Sequence, residues 1–453
     1  MRVFGAAPPA FLAELIDAMT ERGRALMGLR AAAGPVTAPD ISQLGELLLS
    51  RRGEASGVAL SRSLVEAYTI ASPQERVAFL KVLAERFRPD PKAVEAAFLA
   101  WKAGEPGAVE ALHGVSEPRR QELFRRINMS SGGTRALVGM REDLLAALRE
   151  HPELGGVNAD FQHLFASWFN RGFLSLRQID WNTPASILEK VIRYEAVHQI
   201  RNWDDLRNRL QPTDRRCYAF FHPQLVDEPL IFVEVALTKA MPEAIAPLLD
   251  LERTPIAAEE ANTAVFYSIS NTQRGLAGVS FGNFLIKQVV ELLKAELPEI
   301  QTFVTLSPVP GFANWLAQQR ELGQFNPEQE AVLARLDMPG WQDNPEQADA
   351  VSQGLLPIAA QYFLEAKDKA GRPVDPVARF HLGNGARLER LNPMGDLSDG
   401  GLRQSHGLMV NYLYALDEIE RNHEAFAERG DIAASEAVRA FAPPPETRSR
   451  KTS

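Results

Sequence analysis

One cysteine in 453 residues, Cys217, leaves no partner for an intrachain disulfide and no thiolate set for zinc or iron–sulfur chemistry. A reducing compartment fits that usage. Histidine is sparse too: the eight are scattered, and none forms the i, i+4 pair of a helical zinc site, so no metal centre is expected. Positive charge is in deficit, 49 Lys and Arg against 58 Asp and Glu, for a formal net charge of −9. That balance opposes a general nucleic-acid or anionic-membrane role, because such binding relies on clustered cations that neutralise phosphates. Long apolar runs are missing as well. Phe11, Leu12, Leu15 and Ile16 are interrupted by Glu14 and Asp17, and no run approaches the about 18 apolar residues of a membrane span, so neither a signal peptide nor an anchor is expected.

What is present reads as globular: 45% hydrophobic and 24% charged residues, in a chain long enough for two or three domains. The first third is helical. Ser72-Pro73-Gln74-Glu75 is a capping box with proline at the first helical position, ahead of Val77, Phe79, Leu80, Leu83 and Phe87. A second helix begins near Thr134 and sets Leu137, Met140, Leu144, Leu145 and Leu148 on one apolar face. His151-Pro152 and Gly155-Gly156 disfavour its continuation, which suggests an all-helical domain over 1–155, a second domain over 156–443 and a polar tail over 444–453. Strands are expected only after that break, at Cys217–Phe221, Leu230–Leu237, Val265–Ser270 and Thr302–Leu306. A helix-rich block of about 320–367 follows, and Asn384-Gly385 suggests strand, turn and strand across 379–391.

The chemistry concentrates after Val265. A strand leads into Gly275, Gly278 and Gly282, which permit a sharp turn and a close backbone approach to a ligand, and an amphipathic helix with Phe281, Phe284, Leu285, Val289 and Leu293 follows. A glycine turn feeding a helix N-terminus suits a phosphate or pyrophosphate. It matches neither the dinucleotide Gly-x-Gly-x-x-Gly nor a Walker loop. On its own it fits coenzyme A binding or simple turn geometry equally.

Ser307 ends an apolar strand, and Pro308 and Pro310 stiffen the exit loop. Strand C-termini in open α/β sheets are where ligands bind, which raises it above an ordinary strand-end serine. His381 lies between Phe380 and Leu382, ahead of glycines that could admit a substrate; a core histidine is the plain alternative. No Gly-x-Ser-x-Gly elbow surrounds Ser307, which counts against an α/β-hydrolase.

Together, Tyr267–Gln273, Gly275-Leu276 with Gly278-Val279, Thr305–Phe312 and Phe380–Ala386 resemble the malonyl-CoA decarboxylase family. Tyr194–His198, Arg216-Cys217-Tyr218, Glu228-Pro229-Leu230 and Ser405–Tyr412 add to the likeness. The resemblance implies an α+β fold, in which an N-terminal all-helical oligomerisation domain precedes an acetyltransferase-like catalytic domain with a mixed sheet. The implied reaction converts malonyl-CoA to acetyl-CoA and carbon dioxide, with coenzyme A part of the substrate and no separate cofactor. By the same resemblance Ser307 and His381 are catalytic, and Ala277, Gly278, Val279, Ser280, Phe281, Gly282 and Asn283 form the coenzyme A loop. Ser280 departs from an acidic residue of some relatives, which puts any contact made by that carboxylate in doubt. The final Lys451-Thr452-Ser453 lacks the peroxisomal Ser-Lys-Leu of some members, so a cytoplasmic location is expected, with a homotetramer assembled as a dimer of dimers.

The enolate left by decarboxylation is delocalised onto the thioester oxygen, so the protein must orient, stabilise and protonate. His381, whose unperturbed pKa of about 6.5 makes both forms accessible near neutrality, is expected to deliver the proton. Ser307 would hold the departing carboxylate or accept its proton, preferably as a hydrogen-bonded pair with His381. An acyltransferase sharing the turn, or an acyl-CoA sensor without turnover, are the alternatives.

Overall fold

A computed structural model describes residues 36–50, 54–279 and 285–442. The chain forms two compact units: Met1–Ser175 with His222–Glu228 and Gln273–Phe281, and Leu176–Phe221 with Pro229–Thr272 and Gly282–Ser453.

Helices build the first unit. Pro73–Arg86 is capped by Ser72, which accepts from Glu75 N–H, and it buries Phe79, Leu80 and Leu83. The reciprocal half of the expected capping box does not form, because the Glu75 carboxylate accepts from Ala38 N–H instead. Gly133–Ala147 buries Leu137, Met140 and Leu144 as its stripe requires. His151–Gly156 does not end the helical region: a single 3-10 turn at Pro152–Leu154 leads straight into the helix Gly155–Trp168. Phe161 and Phe165 of that helix enter the core, where Phe161 stacks on Phe124 at 4.1 Å.

A mixed sheet organises the second unit. Its strands are β1 (Ser175–Gln178), β2 (Arg215–Phe221), β3 (Pro229–Thr238), β4 (Thr263–Asn271), β5 (Thr302–Thr305), β6 (Ser307–Pro308), β7 (Arg387–Asn392) and β8 (Met409–Leu413), in the order β1-β2-β3-β4-β5-β8-β6 with β7 on β8. The antiparallel β2, β3 and β4 match the expected apolar runs, and β3 is buried along nearly its whole length. From β4 the chain crosses through the helix Leu285–Glu296 to β5, which pairs parallel with β4, the usual result of a helical crossover. This is the mixed sheet that the resemblance implied.

The parallel pairing is short. It covers Thr263–Phe266 against Thr302–Thr305 and one further bond, Leu306 N–H to Phe266 C=O at 3.1 Å; beyond Leu306 only the pairing with β8 on the other side continues, Val304 opposite Leu413 and then Ser307 opposite Val410. The strands therefore part at Ser307. A register shift between Glu234 and Val235 of β3 leaves Tyr267 as an extra residue on β4 near the same point. Glu195 secures β4 from behind, accepting from Val197 N–H, His198 N–H and the Ser268 and Ser270 hydroxyls. Tyr194–His198 is thus a structural lock.

Candidate active site

Ser307 and His381 meet in space although 74 residues separate them: Ser307 Oγ lies 3.2 Å from His381 Nε2. Both are buried, at 5% and 3% exposure. Each is held by a different part of the second unit. Ser307 sits where β5 gives way to β6, and β8 fixes that crossing through Asn411 Nδ2, which donates to Thr305 C=O at 2.8 Å, and Tyr412 N–H, which donates to Thr305 Oγ1 at 3.1 Å. Ser307 Oγ in turn donates to Thr305 Oγ1 at 2.8 Å.

His381 lies on a helix, Pro376–Gly383, and not in the strand expected there. Asp375 caps this helix by accepting Ala378 N–H at 2.7 Å, Pro376 occupies its first turn, and Gly385, with φ of 82°, turns the chain toward β7. The Asn384-Gly385 turn therefore joins helix to strand. A buried tyrosine fastens the cap from the far side: Tyr362 donates to the second Asp375 oxygen at 3.1 Å while its ring packs on Phe312 and Trp315, just beyond the serine loop.

Tyr414 was not singled out from the sequence. Its hydroxyl lies 2.8 Å from His381 Nδ1, and Tyr412 stacks on the imidazole at 4.6 Å between centroids. Alternation carried one residue past β8 was the available signal, since Tyr414 follows Leu413, two residues from Tyr412, and both reach His381. Burial pushes the Tyr414 phenol well above its ordinary range, so it stays protonated and can donate to Nδ1. Nε2 then carries the ring proton toward Ser307. Burial also pushes the imidazole pKa down to about 3, so the histidine is neutral near pH 7, not balanced between two forms as the unperturbed value suggested. No carboxylate among the described residues hydrogen-bonds His381; a phenol occupies the orienting position that an acid fills in a hydrolytic triad.

The loop expected to bind coenzyme A is only partly described: Ser280, Phe281, Gly282 and Asn283 lie outside the described residues, while Ala277, Gly278 and Val279 belong to the first unit. The turn closes through a 3-10 segment, Arg274–Leu276. Gly278 has φ of 73°, a left-handed conformation that favours glycine, and is exposed with Ala277. Gly275 is glycine for another reason. A Cβ there would stand 2.0 Å from the Val138 carbonyl oxygen, so that position is set by packing on the helix Gly133–Ala147 and not by approach to a ligand.

Fold and site together define an α+β protein with a buried serine–histidine–tyrosine chain at the parting of two parallel strands. Residues 87–169 match the family model described as malonyl-CoA decarboxylase N-terminal domain, and residues 172–452 match that of the malonyl-CoA decarboxylase C-terminal domain. The chain belongs to the malonyl-CoA decarboxylase family. Among its relatives, mitochondrial malonyl-CoA decarboxylase of Anser anser anser is 38% identical over 351 residues, covering 72% of this chain and 69% of that protein. The crystal structure of malonyl-CoA decarboxylase from Rhodopseudomonas palustris is similar at a TM-score of 0.87 and 62% identity, covering 90% of this chain and all (100%) of that one. The Cupriavidus metallidurans structure gives 0.70 and 36%, over 89% and 99% of the two chains.

Proposed function

We propose that this protein is a carboxy-lyase that converts malonyl-CoA to acetyl-CoA and carbon dioxide at Ser307 and His381. Family membership supports the reaction; the buried Ser307–His381–Tyr414 chain is the observation that supports the residues. Cleavage of the bond between C2 and the carboxylate sends its electron pair into the thioester, giving an enolate, and carbon dioxide leaves. The enolate then takes a proton at C2. His381 Nε2–H supplies it, directly or through Ser307 Oγ, while the Tyr414 hydroxyl at Nδ1 keeps that nitrogen the acceptor. One solvent proton per turnover restores the ring. Ser307 and its Thr305 partner hold the carboxylate end of the substrate before it departs. Because the thioester is the electron sink, the reaction calls for no separate cofactor.

A phenol in the orienting position favours this chemistry over acyl transfer. A nucleophilic serine would need its histidine to become imidazolium, a state that a carboxylate stabilises and a neutral phenol does not. Gly278 and its neighbours are the coenzyme A turn in this reading. A homo-oligomer is supported by the exposed Phe98, Leu99 and Trp101 on the helical unit, and its form as a tetramer built as a dimer of dimers rests on the family resemblance alone. A cytoplasmic location is supported by cysteine usage alone, and the relatives from Anser anser anser and Mus musculus are mitochondrial proteins. No helix among the described residues is long and apolar enough to cross a membrane. A role in fatty acid metabolism follows from the substrate.

Incubation of the purified protein with malonyl-CoA, without an acyl acceptor, tests the proposal by mass spectrometry. Acetyl-CoA formed in step with carbon dioxide is expected. Unchanged malonyl-CoA, or free coenzyme A from thioester hydrolysis, would refute it.

A further inference from the structure

Arg141 occupies a core position. It lies in the apolar stripe of the helix Gly133–Ala147, between Met140 and Leu144, and its exposure is 0%. All its hydrogen-bond partners are neutral: Nε donates to Asn158 Oδ1 at 3.1 Å, Nη1 to Gly275 C=O at 2.7 Å and Nη2 to Ala277 C=O at 2.8 Å. No carboxylate lies within ion-pair distance of it among the described residues. A buried cation without a counter-charge is strongly disfavoured, and a guanidinium does not escape by losing its proton. Structures therefore keep such a group where something else supplies the negative charge.

The two carbonyls it holds belong to the glycine turn. In a planar trans peptide the C=O and N–H point in opposite directions, so drawing the Ala277 oxygen toward Arg141 turns the Gly278 N–H away from it. That N–H donates to no backbone carbonyl among the described residues, and both Ala277 and Gly278 are exposed. By contrast, Leu276 N–H closes the turn onto Gln273 C=O at 2.9 Å. Gly275 completes the arrangement, because only a residue without Cβ lets the turn settle against Val138, one helical turn before Arg141. The result is an outward N–H backed by a buried positive charge, a built receptor for an anion.

We infer that Arg141 is a positioning residue for the acyl-CoA diphosphate: it aims the Gly278 N–H at that group, and the diphosphate supplies the charge that Arg141 lacks. The inference rests on the turn being the coenzyme A site. Arg141 acts through the backbone and does not touch the ligand. Its contribution is therefore confined to substrates that carry the diphosphate.

Steady-state kinetics with malonyl-CoA and with malonyl-pantetheine, which has the same reacting thioester and no diphosphate, test this. The wild type is expected to favour malonyl-CoA through KM, and Arg141→Gln to lower that preference, the ratio of the two kcat/KM values, by about tenfold or more. Arg141→Lys, which keeps the charge but cannot bridge two carbonyls, should fall between them. Equal loss with both substrates, or an unchanged ratio, would overturn the inference. A wild type without preference would instead remove the diphosphate from this turn, and with it the reading on which the inference depends. Hydrogen exchange in the wild-type protein answers without any variant: coenzyme A, and not pantetheine, should protect the Gly278 amide, and equal protection or none would also overturn the inference.

Discussion

His381 keeps a neutral ring because it is buried without a carboxylate to stabilise the charged form, and that one property shapes the expected pH behaviour. A pKa moved down to about 3 leaves the donor form of the free enzyme complete at every pH well above that value. kcat/KM for malonyl-CoA should therefore show no histidine limb between about pH 5 and 8, where an unperturbed imidazole would give one near 6.5. A limb near 6.5 that disappears in His381→Asn would mean the ring titrates normally. Tyr414 sets which nitrogen holds the proton. Tyr414→Phe removes that hydrogen bond while keeping the ring, so kcat should fall about 3- to 10-fold, the worth of one hydrogen bond, with little change in KM. Neither tyrosine role was read from the sequence, since Tyr414 stands just outside the Ser405–Tyr412 segment and one residue past β8, where only the alternation carried on from Tyr412 points it at His381.

The helix Pro376–Gly383 is the element that the sequence reading missed, and the reason is instructive. Asp375-Pro376 is a sound start signal, a capping side chain followed by a first-turn proline, yet the apolar residues on either side of His381 and the Asn384-Gly385 pair read equally well as strand and hairpin. Eight residues are too few for periodicity to decide. The cap also ties the two halves of the site, because Asp375 holds the histidine helix while Tyr362, its partner, packs against residues just after the serine loop. Asp375→Ala should destabilise the protein by about 0.5–2 kcal/mol and lower kcat several-fold. Asp375→Asn, which keeps the capping acceptor, should restore both. Restored stability without restored kcat, measured by thermal unfolding beside turnover, would show that the cap does not position His381. The glycine turn divides similarly: its existence was readable, but the different reasons for Gly275 and Gly278 needed the neighbouring Val138 and the positive φ of Gly278.

At the scale of the molecule, the α+β order was plain because helical stripes such as Leu137, Met140 and Leu144 and continuous apolar strands such as Leu230–Leu237 are strong, separate signals. Distance in sequence hid what connects them. Nothing local to Ser307 shows that its strand parts from β4 while staying paired with β8 at that residue, or that a histidine 74 positions later closes on it; the pairing became readable only through the family resemblance of several separated motifs. The fold thereby brings two unremarkable side chains to 3.2 Å of each other at the point where parallel strands diverge, and that pair is the one proposed to deliver the proton. Turnover of malonyl-CoA by wild type and His381→Asn, followed as acetyl-CoA and carbon dioxide with substrate binding measured in parallel, tests that claim most directly. The account predicts a loss of about 10²- to 10⁴-fold in kcat with binding largely retained. Near-normal turnover in the variant would contradict it.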